Sequence, residues 1–151
     1  MITDDSLRFS VNESSKDDIR THLFCCDGQF TPRLSERVDL GEYSSKIREK
    51  SFTLEAWKCQ NLVGLVAAYM NIPDSSCYIT NVSVLVDFAG RGIANRLLVA
   101  CFEQAKTHGI KTVSLEVSKD SHPAIRLYEK FDFRVVEDRG CFIFMQCTLN
   151  L

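Results

Sequence analysis

Two glycines one residue apart stand in Ala89-Gly90-Arg91-Gly92-Ile93-Ala94-Asn95, after an apolar, β-branched run and just before a helical pattern. A strand, a glycine turn and a helix N-terminus in that order leave the backbone N–H groups from Gly90 to Asn95 unpaired. With the helix dipole they favour an anion, phosphate above all. Gly92 lets the chain approach a pyrophosphate with no Cβ in the way, Ala94 is small for the same reason, and Arg91 adds a charged contact. A Walker A loop is excluded, because no Lys-[Ser/Thr] pair follows Gly92. The dinucleotide fingerprint fails at its third glycine, where Asn95 stands. A plain strand-to-helix turn, with glycine for geometry alone, is the competing reading.

The cysteines and histidines offer less. Seven cysteines (Cys25, Cys26, Cys59, Cys77, Cys101, Cys141, Cys147) are odd in number and form no C-x-x-C pair, and His22, His108 and His122 do not fall at zinc-ligand spacing. They read as buried, reduced side chains of a cytoplasmic protein with no metal site.

The elements that must position the loop follow from periodicity. A strand over residues 7–11 precedes a helix capped by Ser14 or Ser15, and a long polar stretch then leads to a second helix over 42–50. Residues 52–59 and 62–70 read as strands split by the Gln60-Asn61 turn, and 77–86 as a third. After the glycine loop, Ile93, Leu97, Leu98, Cys101 and Ala105 form one helical stripe, which Gly109 stops. A strand over 111–117, a short helix with Pro123 in its first turn and a closing hairpin through Arg139-Gly140 complete the chain. The fold expected is one α/β domain over 1–151, with a mixed, mostly antiparallel sheet flanked by helices. At 151 residues the chain suits one domain, and 18 basic against 20 acidic residues with no basic block exclude the footprint of a nucleic-acid binder. The acidic start "MITDDSLRFS" is no signal peptide, and the longest apolar run, "LVGLVAAYM", falls far short of the ~20 residues of a membrane span.

Downstream, "SHPAIRLYEKFDF" lies on the helix after the next strand. Together with the glycine loop it resembles the GNAT superfamily of acyl-CoA-dependent N-acyltransferases, closely over residues 78–133. The family's loop, Q/R-x-x-G-x-G/A, falls on residues 89–94, with Gly92 and Ala94 in the small-residue positions. Ala89 replaces the leading Gln/Arg, His122 replaces the usual asparagine of the later helix, and Asp132 replaces the usual glycine before Phe133. The resemblance implies acetyl-CoA as donor and splayed central strands. Main-chain groups of the strand over 82–86, at Val84 and Val86, would pair with the pantetheine arm, and the Val84 N–H would face the thioester oxygen. Gly90, Arg91, Gly92, Ile93, Ala94 and Asn95 would hold the pyrophosphate, with His122 beside them.

Tyr128 is the general acid that the resemblance implies, because a phenol stays protonated at neutral pH and can return a proton to a thiolate; its spacing from Ile125 and Phe131 also suits packing. The base is left open by the residues: Glu116, Glu55, or a water held by Tyr78, Thr80 or Asn81. Glu116 is the carboxylate taken forward. An alkylamine with pKa near ~10.4 costs roughly 4.6 kcal/mol to deprotonate at pH 7, and an α-amine near ~8 much less. Direct attack is expected, since neither Cys77 nor Cys101 has a histidine partner. The expected acceptor is the primary amine of a small molecule, with a peptide acceptor or a non-catalytic acyl-CoA-binding module as alternatives. Phe30, Arg33, Tyr43 and Trp57 are candidates to line its site. An exposed final strand offers a homodimer edge.

Overall fold

The computed structural model describes residues 6–149, so the first five residues of the acidic N-terminal stretch lie outside it. Strand β1 (Leu7–Val11) leads to α1 (Lys16–Cys26), where Ser15 and Asp18 form a reciprocal capping box. The polar stretch that follows holds a short helix, α2 (Leu34–Arg37), which periodicity misses because four residues carry too little pattern. Helix α3 (Leu40–Lys50) starts two residues earlier than expected, because the Asp39 carboxylate accepts from the Glu42 N–H and caps it there.

Strands β2 (Phe52–Lys58), β3 (Asn61–Asn71) and β4 (Ser76–Val84) form an antiparallel meander. Helix α4 (Ile93–Thr107), β5 (Thr112–Ser118) and α5 (His122–Lys130) follow, then the hairpin β6 (Arg134–Arg139) and β7 (Phe142–Thr148). The seven strands lie in the order β1-β2-β3-β4-β5-β7-β6. Every pairing is antiparallel except β4 with β5. The final strand is therefore interior, between β5 and β6, and is not available to a second copy; β1 and β6 are the edges.

The central parallel pair is short. Ser76–Ile79 of β4 pairs with Thr112–Leu115 of β5, and beyond that point the two strands diverge. A bulge in β4 accompanies the split: Ala67 faces Asn81 and Ala68 faces Ile79, leaving Thr80 without an opposite residue. The extra residue resets the side-chain alternation. Cys77 and Ile79 before it, and Val82 and Val84 after it, all join the core under α4 and α5. Asn81 and Ser83 turn to the opposite face, where α1 and α3 cover a second core of Ile19, Leu23, Ile47, Leu62 and Leu65. Each of these buried aliphatic side chains contributes on the order of 1.5–3 kcal/mol.

The strand expected to reach Val86 ends at Val84. Residues Val86–Phe88 form a 3-10 turn instead, with the Val86 side chain exposed. No helix among the described residues is long and apolar enough to cross a membrane.

Candidate active site

The divergence of β4 from β5 opens a cleft of about 310 Å³. Its walls are residues 79–84 of β4 and 115–118 of β5; Ser121, which precedes α5, with Ala124 and Tyr128 of α5, closes one side, and Phe30, Leu34 and Arg37 stand at the other.

The β4 wall presents main-chain groups. The Leu85 N–H donates to Val63 O at 2.9 Å, so the antiparallel alternation turns Ser83 and Asn81 toward β3 and the amides of Val82 and Val84 away from it. The Val84 N–H thus faces the side from which β5 has departed. At the end of this strand Gly90 (φ +77) and Gly92 (φ +76) take left-handed conformations, and nothing among the described residues lies within 4 Å of where either would carry a Cβ. No side chain caps α4, and its first internal bond runs from the Arg96 N–H to Gly92 O, which leaves the N–H groups of Ile93, Ala94 and Asn95 without helical partners. Ala89 and Ala94 bring the loop to the cleft wall, while Gly90, Arg91, Gly92 and Asn95 are exposed. The Arg91 guanidinium lies over the Phe88 ring at 5.0 Å. Such a donor set fits a ligand with an anionic head and an amide-bearing arm.

Two residues named for this role sit differently from the rest of the loop. Ile93 is buried, so only its main chain can face a ligand. His122 is exposed at the first turn of α5, whereas its neighbours Ser121 and Ala124 line the cleft.

What holds the loop against the sheet is a residue that the sequence reading passed over. A Cβ on Gly64, in the middle of β3, would stand 2.7 Å from Ile93 Cγ2 and 3.3 Å from Leu97 Cδ1. Gly64 lets the first turn of α4 sit directly on the strand. An isolated glycine inside the apolar run "LVGLVAAYM" is the signal that could have found it.

Tyr128 packs edge-to-face on Phe133 at 5.8 Å and is 7% exposed. Its hydroxyl makes no hydrogen bond among the described residues, and burial raises its pKa well above the usual phenol value, so it is held protonated. Glu116 stands on the β5 wall between two guanidiniums, 3.2 Å from Arg37 and 3.3 Å from Arg139. Arg37 also lies 4.2 Å over the Phe142 ring, so α2 is tied to the opposite wall. Neither arginine was singled out from sequence, because the ion pairs join residues 79 and 23 positions apart.

Glu55 belongs elsewhere. It is fully buried and accepts from the Ser10, Glu13, Ser14 and Thr53 donors at 2.7–2.9 Å, which ties the β1–α1 connection to β2 and leaves no oxygen for an acceptor. Trp57 is likewise buried away from the cleft and donates to Ser10 Oγ. Of the other proposed lining residues, Phe30 reaches the cleft. Tyr43 braces it: its hydroxyl donates to Thr80 O at 2.8 Å, and burial pushes its pKa up to about 12. All seven cysteines are free. Cys77 and Cys101 are buried, and the Cys101 thiol is pushed well up by its contact with Cys77 and by burial, whereas Cys25, Cys59 and Cys141 are exposed.

The profile of the acetyltransferase (GNAT) family matches residues 17–133. The chain belongs to that family, whose members take an acyl group from acyl-CoA. Over 61 residues it is 34% identical to an N-alpha-acetyltransferase of Saccharolobus solfataricus, a match that covers 40% of this chain and 36% of the relative. The fold is shared with PaiA N-acetyltransferase from Thermoplasma acidophilum in complex with coenzyme A, at a TM-score of 0.75 and 15% identity over 94% of this chain and 99% of that one. It is also shared with the ribosomal-protein-S18-alanine N-acetyltransferase of Escherichia coli, at a TM-score of 0.74 and 17% identity over 96% and 95%.

Proposed function

We propose that this chain is a one-domain N-acetyltransferase that moves an acetyl group from acetyl-CoA to an α-amine, at the N-terminus of a peptide or protein. The observation that carries the reading is the split between β4 and β5, with unpaired β4 amides on one side and the uncapped N-terminus of α4 at its end. Acetyl-CoA supplies an activated acetyl thioester. The loop amides from Gly90 to Asn95 bind its pyrophosphate, the Val84 N–H donates to the thioester oxygen, and Tyr128 keeps a proton ready for the departing sulfur. Glu116 receives the amine's proton.

Its setting supports the choice of acceptor. Both carboxylate oxygens already accept from guanidiniums, and an α-amine near ~8 costs less to deprotonate at neutral pH than an alkylamine near ~10.4. The likeness to an N-alpha-acetyltransferase points the same way. Four buried, free cysteines agree with a reducing, cytoplasmic setting.

Calorimetry with acetyl-CoA and ATP, followed by mass spectrometry of short peptides, amino sugars and polyamines after incubation, tests the proposal. Micromolar acetyl-CoA binding, about −8 kcal/mol, with ATP inert and peptides acetylated at the N-terminus is the expected result. Acetylation of polyamines or amino sugars alone restores the small-molecule acceptor. Binding without transfer to any amine leaves a non-catalytic module, and a stable acetylated enzyme species overturns direct attack.

A further inference from the structure

The mouth of the cleft holds few charges. Among the described residues, Arg37 and Glu116 are the only charged side chains in its lining. Glu116 also accepts from Arg139 at 3.3 Å, and Arg139 is bonded in turn to Glu137 at 3.1 Å. Two guanidiniums therefore face two carboxylates, and the cluster is neutral before anything binds. A bare ammonium placed there adds a positive charge beside two arginines. An ammonium that brings its own carboxylate adds none.

The two arginines are not equivalent. Arg139 gives Nη1–H to Glu116, and Nε–H and Nη2–H to Glu137. Arg37 makes one hydrogen bond among the described residues, from Nη2 to Glu116 Oε1. At 3.2 Å that bond is long for a charge-assisted one, which ordinarily measures about 2.7–2.9 Å. A guanidinium presents a planar fork of N–H donors, so most of those on Arg37 remain for a ligand.

The position of Arg37 is also fixed in advance. Leu34 anchors α2 in the core under α1 and α3, and the Asp27 carboxylate accepts from the Ser35 N–H and hydroxyl at 2.7 Å. The Arg37 guanidinium lies 4.2 Å over the ring of Phe142, another residue of the cleft lining. A cation held in this way gives up little freedom when it takes a new partner.

Resting on the acetyltransferase reading above, we propose that Arg37 selects the acceptor by binding a side-chain carboxylate on the peptide's first residue, so that N-termini beginning with aspartate or glutamate are the favoured substrates. Arg37 Nη2 and Glu116 Oε1 are 3.2 Å apart, so the amine and the carboxylate they receive must belong to one residue. The α-ammonium goes to Glu116 and the carboxylate to Arg37, and one ion pair is exchanged for two. When Glu116 takes the amine's proton and becomes neutral, the acceptor's carboxylate keeps Arg37 paired. The acetylated product has lost its positive charge and kept its negative one. Once Glu116 has passed the proton to water, it reclaims Arg37 and repels the product's carboxylate, which favours release.

The test compares peptides with Asp against Asn, and Glu against Gln, at the first position, with Lys as the opposite charge. In the parent protein kcat/KM should favour each acid over its amide by about tenfold, with lysine the poorest. The preference should shrink as ionic strength rises, because the Arg37 side chain is 43% exposed. Arg37→Gln should bring the ratio of acid to amide close to one, and Arg37→Glu should turn the preference toward lysine. An arginine that merely ties α2 to β5 would, when replaced, slow every peptide alike and leave the ratios where they were; that result overturns the proposal. Transfer by the parent to acid and amide peptides alike sinks the proposal alone and leaves the acetyltransferase reading standing. Transfer to free aspartate but to no peptide removes the peptide acceptor and the proposal with it. Absence of transfer to any amine removes the acetyltransferase reading and the selection by Arg37 together.

Discussion

On the α4 side of β4 the cleft is assembled from main chain: the amides of Val82 and Val84, the left-handed Gly90 and Gly92, and the uncapped first turn of α4. On the α1 and α3 side of the sheet, side chains from distant segments meet behind and beside the cleft: Asn81, Ser83 and His22, Tyr43 against Thr80, and Arg37 and Arg139 around Glu116. A main-chain site depends on backbone conformation and tolerates changes of side chain, which is why Ala89 can stand where the family carries Gln or Arg. A side-chain site changes its preference with each substitution. Under the proposed function, the main-chain half, which would hold the donor, is thus general, and the side-chain half, which would hold the acceptor, is particular.

Removing the proton donor should give the largest effect. Tyr128→Phe loses a hydroxyl with no partner among the described residues, so the melting temperature should hold while kcat falls by about 100-fold or more. A variant that keeps its rate removes Tyr128 from the chemistry. The acceptor half should answer to acid. The His22 ring has a pKa of about 4 in the fold against an ordinary 6.5, so the unfolded chain binds the extra proton between those values. Stability is full above pH 6.5 and declines as pH falls through the window toward 4, by at most about 3 kcal/mol. Urea midpoints measured across that range check it, and His22→Gln should flatten the slope.

The donor half should answer to backbone packing. Gly64→Ala drives a methyl into Ile93 and should cost about 2 kcal/mol of stability. It should also weaken acetyl-CoA binding by shifting the start of α4, while the acceptor KM stays unchanged. Equal damage to both halves would show that they are not separate. The smallest effect is expected at Asp132, which takes a left-handed φ of +66° just before Phe133. Asp132→Gly should raise stability by about 1 kcal/mol, with both halves unaltered.

The same contrast explains what could be read in advance. The glycine loop, the α4 stripe and the Tyr128 helix were legible because their determinants are local: a left-handed turn needs glycine, and a helix shows its buried face every three or four residues. The succession of strands along the chain followed from alternation and turn residues, but their order in the sheet did not, since β7 lies inside it. The end of β4 did not, since Leu85 and Val86 continue an apolar run although the chain turns there. Glu55 and Glu116 looked equivalent as carboxylates on strands. One is enclosed by four donors, and the other stands in the open cleft between two arginines.

Sequence alone determined the family, the glycine turn before α4 and the tyrosine-bearing helix α5, because each is written in neighbouring residues. Tertiary structure alone decided that Thr80 would bulge, that Gly64 would admit α4, and that His22 would meet Ser83 across 61 positions. Contacts of that length depend on how strands and helices stack, and no local pattern of residue types encodes them.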